Sequence, residues 1–154
     1  MIFTEQHQVS YALLPDADRY DSDPATDVYN MELYDHITFI LIEGAGGVGT
    51  TTLTVEECNT IAGGDNTAIA FNYRLCTTVD TWGALTAATA AGYATVAGAN
   101  KMVAIEIDAE ELSSDHPFVR VQTTELADGA VDAAIIAICS KPRYAQDVMP
   151  TSIA

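Results

Sequence analysis

Six runs of eight to ten residues, each dense in β-branched and aromatic side chains and bounded by turn formers, constrain this chain more than any other feature. They lie at 36–43, 50–57, 67–76, 101–108, 117–126 and 131–140, with weaker candidates at 27–33 and 81–86. In 101–108 the alternation predicts that Lys101, Val103, Ile105 and Ile107 face inward, with Met102, Ala104, Glu106 and Asp108 opposite. In 117–126, Val119 and Val121 oppose Phe118 and Arg120, again a half-exposed strand. The run from Ile37 to Ile42 is apolar on both faces apart from Thr38 and predicts a central strand covered on both sides. Helix signals are few: Ala109–Leu112, and an Ala-rich stretch near 84–91 that Thr86, Thr89, Gly83 and Gly92 weaken. Many short strands without βαβ alternation predict an all-β antiparallel sandwich or jelly roll.

The length of 154 residues fits one domain. Within it the pattern predicts an N-terminal arm over 1–25, a β-sandwich over 26–140 and a C-terminal tail over 141–154. The segment Gly44-Ala45-Gly46-Gly47-Val48-Gly49-Thr50-Thr51 approaches a phosphate-binding loop but has Thr50 where such a loop needs lysine. The next residues, Thr51 to Glu56, alternate like a strand, whereas the loop requires a helix. The glycines therefore predict a hairpin connection, and a degenerate nucleotide site is the enzymatic alternative.

Charge excludes other classes. There are 22 acidic and 6 basic residues, a formal net charge of −16. Arg19, Arg74, Lys101, Arg120, Lys141 and Arg143 are scattered singly, whereas nucleic-acid binding needs clustered cations, so no nucleic-acid partner is expected. An anionic exterior favours solubility and basic partner surfaces. No apolar run approaches the ~20 residues of a membrane span, and the first residues lack a signal-peptide pattern, so no membrane association is expected. Cys58, Cys76 and Cys139 are distant from one another and set in apolar stretches, which predicts buried thiols in a reducing compartment.

The chemistry-bearing residues form no recognised motif. Asp16, Asp18, Asp21 and Asp23 offer oxygen ligands at short spacing and are weak calcium candidates, lacking the turn glycine and terminal glutamate of an EF-hand. His7, His36 and His116 predict surface or strand-edge positions, and a triad using Ser10 or Ser140 has no supporting elbow motif. Asp35-His36 and Glu56-Glu57 read as solvated faces. No catalytic residue, cofactor or metal is expected. Tyr11, Leu13, Leu14 and Tyr20 in the arm, with Arg143 and Tyr144 in the tail, have no core of their own and predict contacts to another chain.

The stretch from Asp18-Arg19-Tyr20-Asp21 through Pro24, Asp27 and Tyr29 to Met31 carries a resemblance, together with Tyr34-Asp35-His36-Ile37-Thr38-Phe39 and the Gly44–Thr51 segment. Ala97-Gly98-Ala99-Asn100-Lys101 and Lys141-Pro142-Arg143-Tyr144 complete the set. Taken together these segments resemble small virion structural proteins of tailed bacteriophages. That resemblance implies a capsid decoration, or cement, protein, made in the host cytoplasm and bound to the major capsid protein on the outer surface of the head. Self-association as a dimer or trimer is also expected, since arms with apolar anchors gain little alone. A tail or head-completion component, and a calcium- or carbohydrate-binding β-sandwich for host attachment, remain the alternatives.

Overall fold

The computed structural model describes residues 2–45, 48–77, 81–144 and 150–153. Its strands are β1 (Gln8–Asp16), β2 (Tyr29–Asn30), β3 (Tyr34–Glu43), β4 (Thr50–Cys58), β5 (Thr67–Ile69), β6 (Phe71–Cys76), β7 (Thr86–Ala88), β8 (Tyr93–Ala94), β9 (Lys101–Asp108), β10 (Phe118–Ala127) and β11 (Ala133–Pro142). They form two sheets, one of six strands in the order β1-β11-β3-β9-β6-β7 and one ordered β2-β10-β4-β5 with β8 on β4. Every pairing between these strands is antiparallel, and the two sheets make the sandwich that the alternation predicted. Short 3-10 turns at Phe3–Glu5 and Ala109–Glu111 are the helical elements among the described residues.

The inner faces follow the period of two. Ile37, Phe39 and Leu41 of β3, Val103, Ile105 and Ile107 of β9, and Ile135 and Ala137 of β11 are buried from one sheet. Leu53, Val55, Val119 and Val121 meet them from the other. Tyr29 and Phe39 join the layers edge to face, with ring centroids 5.5 Å apart and planes at 81°, a favoured aromatic geometry. Cys58, Cys76 and Cys139 are buried, as their apolar surroundings predicted.

The chain changes sheet at almost every connection, with β4 to β5 and β6 to β7 staying within one. This corrects the hairpin expectation, because β3 and β4 belong to opposite sheets. The element after the glycines is nevertheless a strand and not a helix. Their role is close backbone approach: Gly44 N–H donates to Asp132 O at 2.7 Å, and a Cβ on Gly49 would stand 2.0 Å from Gly129 O. Gly46 and Gly47 lie outside the described residues. The run 67–76 likewise divides after Ile69, β5 pairing with β4 and β6 with β9.

The arm and the tail are also corrected. β1 pairs with β11 from Gln8↔Cys139 to Asp16↔Ala133 and is the edge strand of the larger sheet. Beyond β11 the chain returns to the body: Tyr34 OH donates to Pro150 O at 2.7 Å, Asn30 N–H to Ser152 O at 2.9 Å, and Ser152 N–H to Gln8 Oε1 at 3.0 Å. The described parts of 1–25 and 141–154 thus belong to the sandwich. Finally, β3 is central in its sheet but covered on one face only. Ile40 is half-buried and Ile42 is 37% exposed.

Candidate functional site

The two sheets present opposite chemistries to the outside. On the smaller sheet the outward residues of β4 and β10 pair as Thr52↔Thr124, Thr54↔Gln122 and Glu56↔Arg120, a polar surface closed by Arg120 Nε donating to Glu56 Oε2 at 2.8 Å. On the larger sheet the outward register runs Tyr11–Ile136–Ile40–Ala104 across β1, β11, β3 and β9. A neighbouring row runs Ala134–Ile42–Met102, and Val9 lies against Ile138. A soluble sandwich normally alternates apolar inside with polar outside. An uncovered apolar sheet face marks an interaction surface.

Local sequence explains how β1 contributes. Its pairing shifts between Tyr11 and Leu13, and this irregularity puts Ala12 and Leu13 together on the inner side. The alternation then resumes with Leu14 outward at 65% exposure, beside Tyr11 at 56%. The outer edge of β1 is guarded, because Asp27 N–H donates to Ala12 O at 2.9 Å and Arg19 Nη1 to Leu14 O at 2.7 Å. Blocking an edge in this way discourages strand addition.

Of the sequence-predicted contact residues, Tyr11 and Leu14 stand on this face. Leu13 is turned to the core, a correction. Tyr20 is a second correction: it is 1% exposed, and its hydroxyl donates to the buried Glu43 carboxylate. Burial holds the Tyr20 hydroxyl far above its ordinary range and raises Glu43 above the usual carboxylate value. Tyr144 is exposed just past β11, while Arg143 Nε donates to Asp35 Oδ1 of its own chain at 2.7 Å.

Asp16 and Asp23 of the acidic loop have separate partners. Asp16 Oδ1 accepts from Asp18 N–H at 3.2 Å, and its other oxygen lies 3.6 Å from Arg19 Nη2. Asp23 Oδ1 accepts from Glu125 N–H at 2.6 Å. Among the described residues no group of three His, Cys, Asp or Glu could hold a metal ion.

One row does bring Ser140, His36 and Asp108 into register across β11, β3 and β9, the residue types of a nucleophilic triad. His36 Nδ1 lies 2.8 Å from Asp108 Oδ1, as a triad requires. Its Nε2, however, lies 2.8 Å from Glu106 Oε2, which also accepts from Thr38 Oγ1 at 2.9 Å. Hydrogen bonds with Glu106 and Asp108 raise His36 above its ordinary value despite burial, and bonding to His36 lowers Glu106. With both ring nitrogens turned to carboxylate oxygens at 2.8 Å, neither is open to take a serine proton. The row works as a charge clamp at one end of the face. Glu57, expected to be solvated, is buried instead and accepts from Ser113 N at 2.7 Å and Ser113 Oγ at 2.8 Å, which docks the 112–117 loop.

All six basic side chains are engaged within the chain. Besides Arg19, Arg120 and Arg143, Arg74 Nη1 donates to Gly83 O at 3.0 Å, Lys101 Nζ donates to Val96 O and Ala97 O, and Lys141 Nζ lies 3.8 Å from Asp108 Oδ1. A second exposed apolar group surrounds the start of β4. Val48 precedes it, Val96 follows Thr95, whose N–H donates to Thr51 O, and Leu126 lies where β10 pairs Glu125 with Thr51 and Ala127 with Thr50. Sequence reading missed this rim because its residues are far apart in the chain.

Fold and surfaces together define a two-faced antiparallel β-sandwich that exposes apolar side chains on one face and around the start of β4. No helix of the described residues is long and apolar enough to cross a membrane. No family model and no curated protein matches the chain. Among solved structures it is similar to the crystal structure of SPBc2 prophage-derived protein YomS, at 12% identity and a TM-score of 0.45, over 86% of this chain and 92% of that one.

Proposed function

We propose that this chain is a non-enzymatic virion structural protein of a tailed bacteriophage, a capsid decoration protein that binds the major capsid protein on the outside of the head. The observation that carries this reading is the exposed apolar rim of Val48, Val96 and Leu126 on an otherwise anionic sandwich whose triad-like row is locked as a charge clamp. The resemblance of its segments to small virion proteins supplies the setting. Val48, Val96 and Leu126 around the start of β4 are the capsid contacts in this reading, and the polar face of the smaller sheet meets solvent. Modest contacts suffice, because repetition on a symmetric shell multiplies them through effective concentration. The strongly acidic exterior repels packaged nucleic acid.

The test is co-sedimentation of the purified protein with empty shells of the major capsid protein. Saturable binding is expected, with loss of binding on Val96→Asp together with Leu126→Asp while the far-UV circular dichroism is unchanged. Binding to isolated tails in place of shells would move the protein to the tail, and binding to neither would remove the virion reading.

A further inference from the structure

We propose that the outer face of the six-stranded sheet is closed by the same face of a second copy of this chain, giving a two-fold dimer in which two sheets pack against each other. This goes beyond the virion assignment and does not depend on it.

Charge selects the occupant. In a chain of net charge −16, the rows Tyr11–Ile136–Ile40–Ala104 and Ala134–Ile42–Met102 carry no ionisable group apart from the Tyr11 phenol. Leu14 and Val9, which flank them on β1, carry none either. The acids border the two ends of this face and leave its middle uncharged: at one end Glu106 and Asp108 are clamped by His36, with Lys141 3.8 Å from Asp108, and at the other Asp16 and Asp132 line a hollow with Ile42 and Ala134, while Arg74 ends the Tyr11–Ala104 row. A face without charge has nothing to steer it to the basic partners that the rest of this surface favours. It is, however, complementary to an equally neutral, equally apolar surface, and this chain carries one.

Shape points the same way. A two-fold axis parallel to the strands and midway between β11 and β3 lays β1 over β9 and β11 over β3 of the second copy. The protruding Tyr11 then lies over the small side chain of the second copy's Ala104, Ile136 over its Ile40, and Ala134 over its Ile42. Leu14 falls toward its Met102. Aligned sheets pack in this manner at ~10 Å separation with a ~30° rotation from their twist.

The size sets the strength. Four strands at ~4.8 Å and about seven residues at ~3.3 Å give a face of ~19 by ~23 Å, or ~440 Å² in projection. Two such faces remove on the order of 900 Å² in projection and more as accessible surface, approaching the ~1,200 Å² at which specific interfaces begin. A reversible dimer is therefore expected.

Sedimentation equilibrium tests this on the intact protein from ~1 to ~100 μM, bracketing a micromolar dissociation constant. The expected mass is twice the monomer's 16.4 kDa at the upper end. Tyr11→Asp with Leu14→Asp, both at exposed positions, should give monomer at every concentration with unchanged circular dichroism, whereas Val96→Asp with Leu126→Asp should leave the dimer intact. If the first variant does not fold, Tyr11→Cys with Ala104→Cys serves instead. Those positions are three strands apart within one chain and face each other only between copies, so a bis-maleimide linker that spans the ~10 Å sheet separation should yield a covalent dimer. A wild-type monomer throughout, a trimer, a dimer that survives the aspartates, or no covalent dimer would each overturn the proposal. Protection of this face by capsid shells alone would overturn it too, while leaving the virion reading in place.

Discussion

Replacing Tyr20 with phenylalanine removes one oxygen atom and tests whether the first 25 residues are part of the sandwich. Tyr20 lies within a run of aspartates and looks like an exposed anchor in the sequence. In the structure its ring is in the core and its hydroxyl donates to Glu43, itself buried at the end of β3 opposite Lys101. Tyr20→Phe keeps the ring and leaves a buried carboxylate without that donor. A hydrogen bond to a charged group contributes ~1.5–3 kcal/mol. For a domain of this size each kcal/mol moves the melting temperature by ~2–4 °C, so the expected loss is about 3–12 °C. Burial raises the Glu43 carboxyl, so it protonates early on acidification, and the cost of the mutation should shrink as the pH falls toward its titration. Urea unfolding of wild type and variant at neutral and acidic pH measures both effects. A neutral-pH change within ~0.5 kcal/mol, the range of ordinary surface substitutions, would refute the burial of Tyr20 and return the segment to a free arm.

Three further substitutions or additions probe other parts of the molecule. Gly49→Ala places a Cβ 2.0 Å from Gly129 O and should cost about 2–4 kcal/mol in chemical denaturation, in the class of buried steric clashes. The His36 clamp predicts a pH optimum: raising His36 stabilises the fold below its ordinary 6.5 and is lost as pH rises through the folded value, while lowering Glu106 stabilises above its ordinary 4.5 and is lost on acidification. His36→Gln should therefore lower the melting temperature most between those two values and least in alkali, as thermal melts across pH will register. Millimolar calcium should leave the melt unchanged, because Asp16, Asp18, Asp21 and Asp23 are not gathered into one ligand set; a rise of several degrees would contradict that geometry.

Strands were legible wherever one face is buried and the alternation is unbroken. Lys101–Asp108 falls where the pattern puts it, with Val103, Ile105 and Ile107 inside. β1 was not legible. The irregularity at Ala12 and Leu13 breaks its period, and Pro15 and Asp16 make its end look like a loop. The exchange of sheets between Ile69 and Phe71 leaves no compositional trace, and the glycines after β3 suggested a turn where the backbone is making a close approach to Gly129. Tyr11 and Leu14 are exposed as the sequence suggested, but the face they belong to was not legible. It is assembled from β1, β11, β3 and β9, which are distant in sequence, and the apolar run Ile37–Ile42 reads equally well as a strand covered on both sides. Tyr20 was misread because its partner Glu43 is 23 residues away.

The central claim is that this anionic sandwich works by adhering to a shell. Its most direct test is the location and copy number of the protein in purified particles, by cryo-electron microscopy with quantitative gel densitometry against the major shell protein. The account predicts density on the outside of the head at a fixed ratio to the shell subunits. Particles that carry none of it, or carry it only inside the head, would contradict the account.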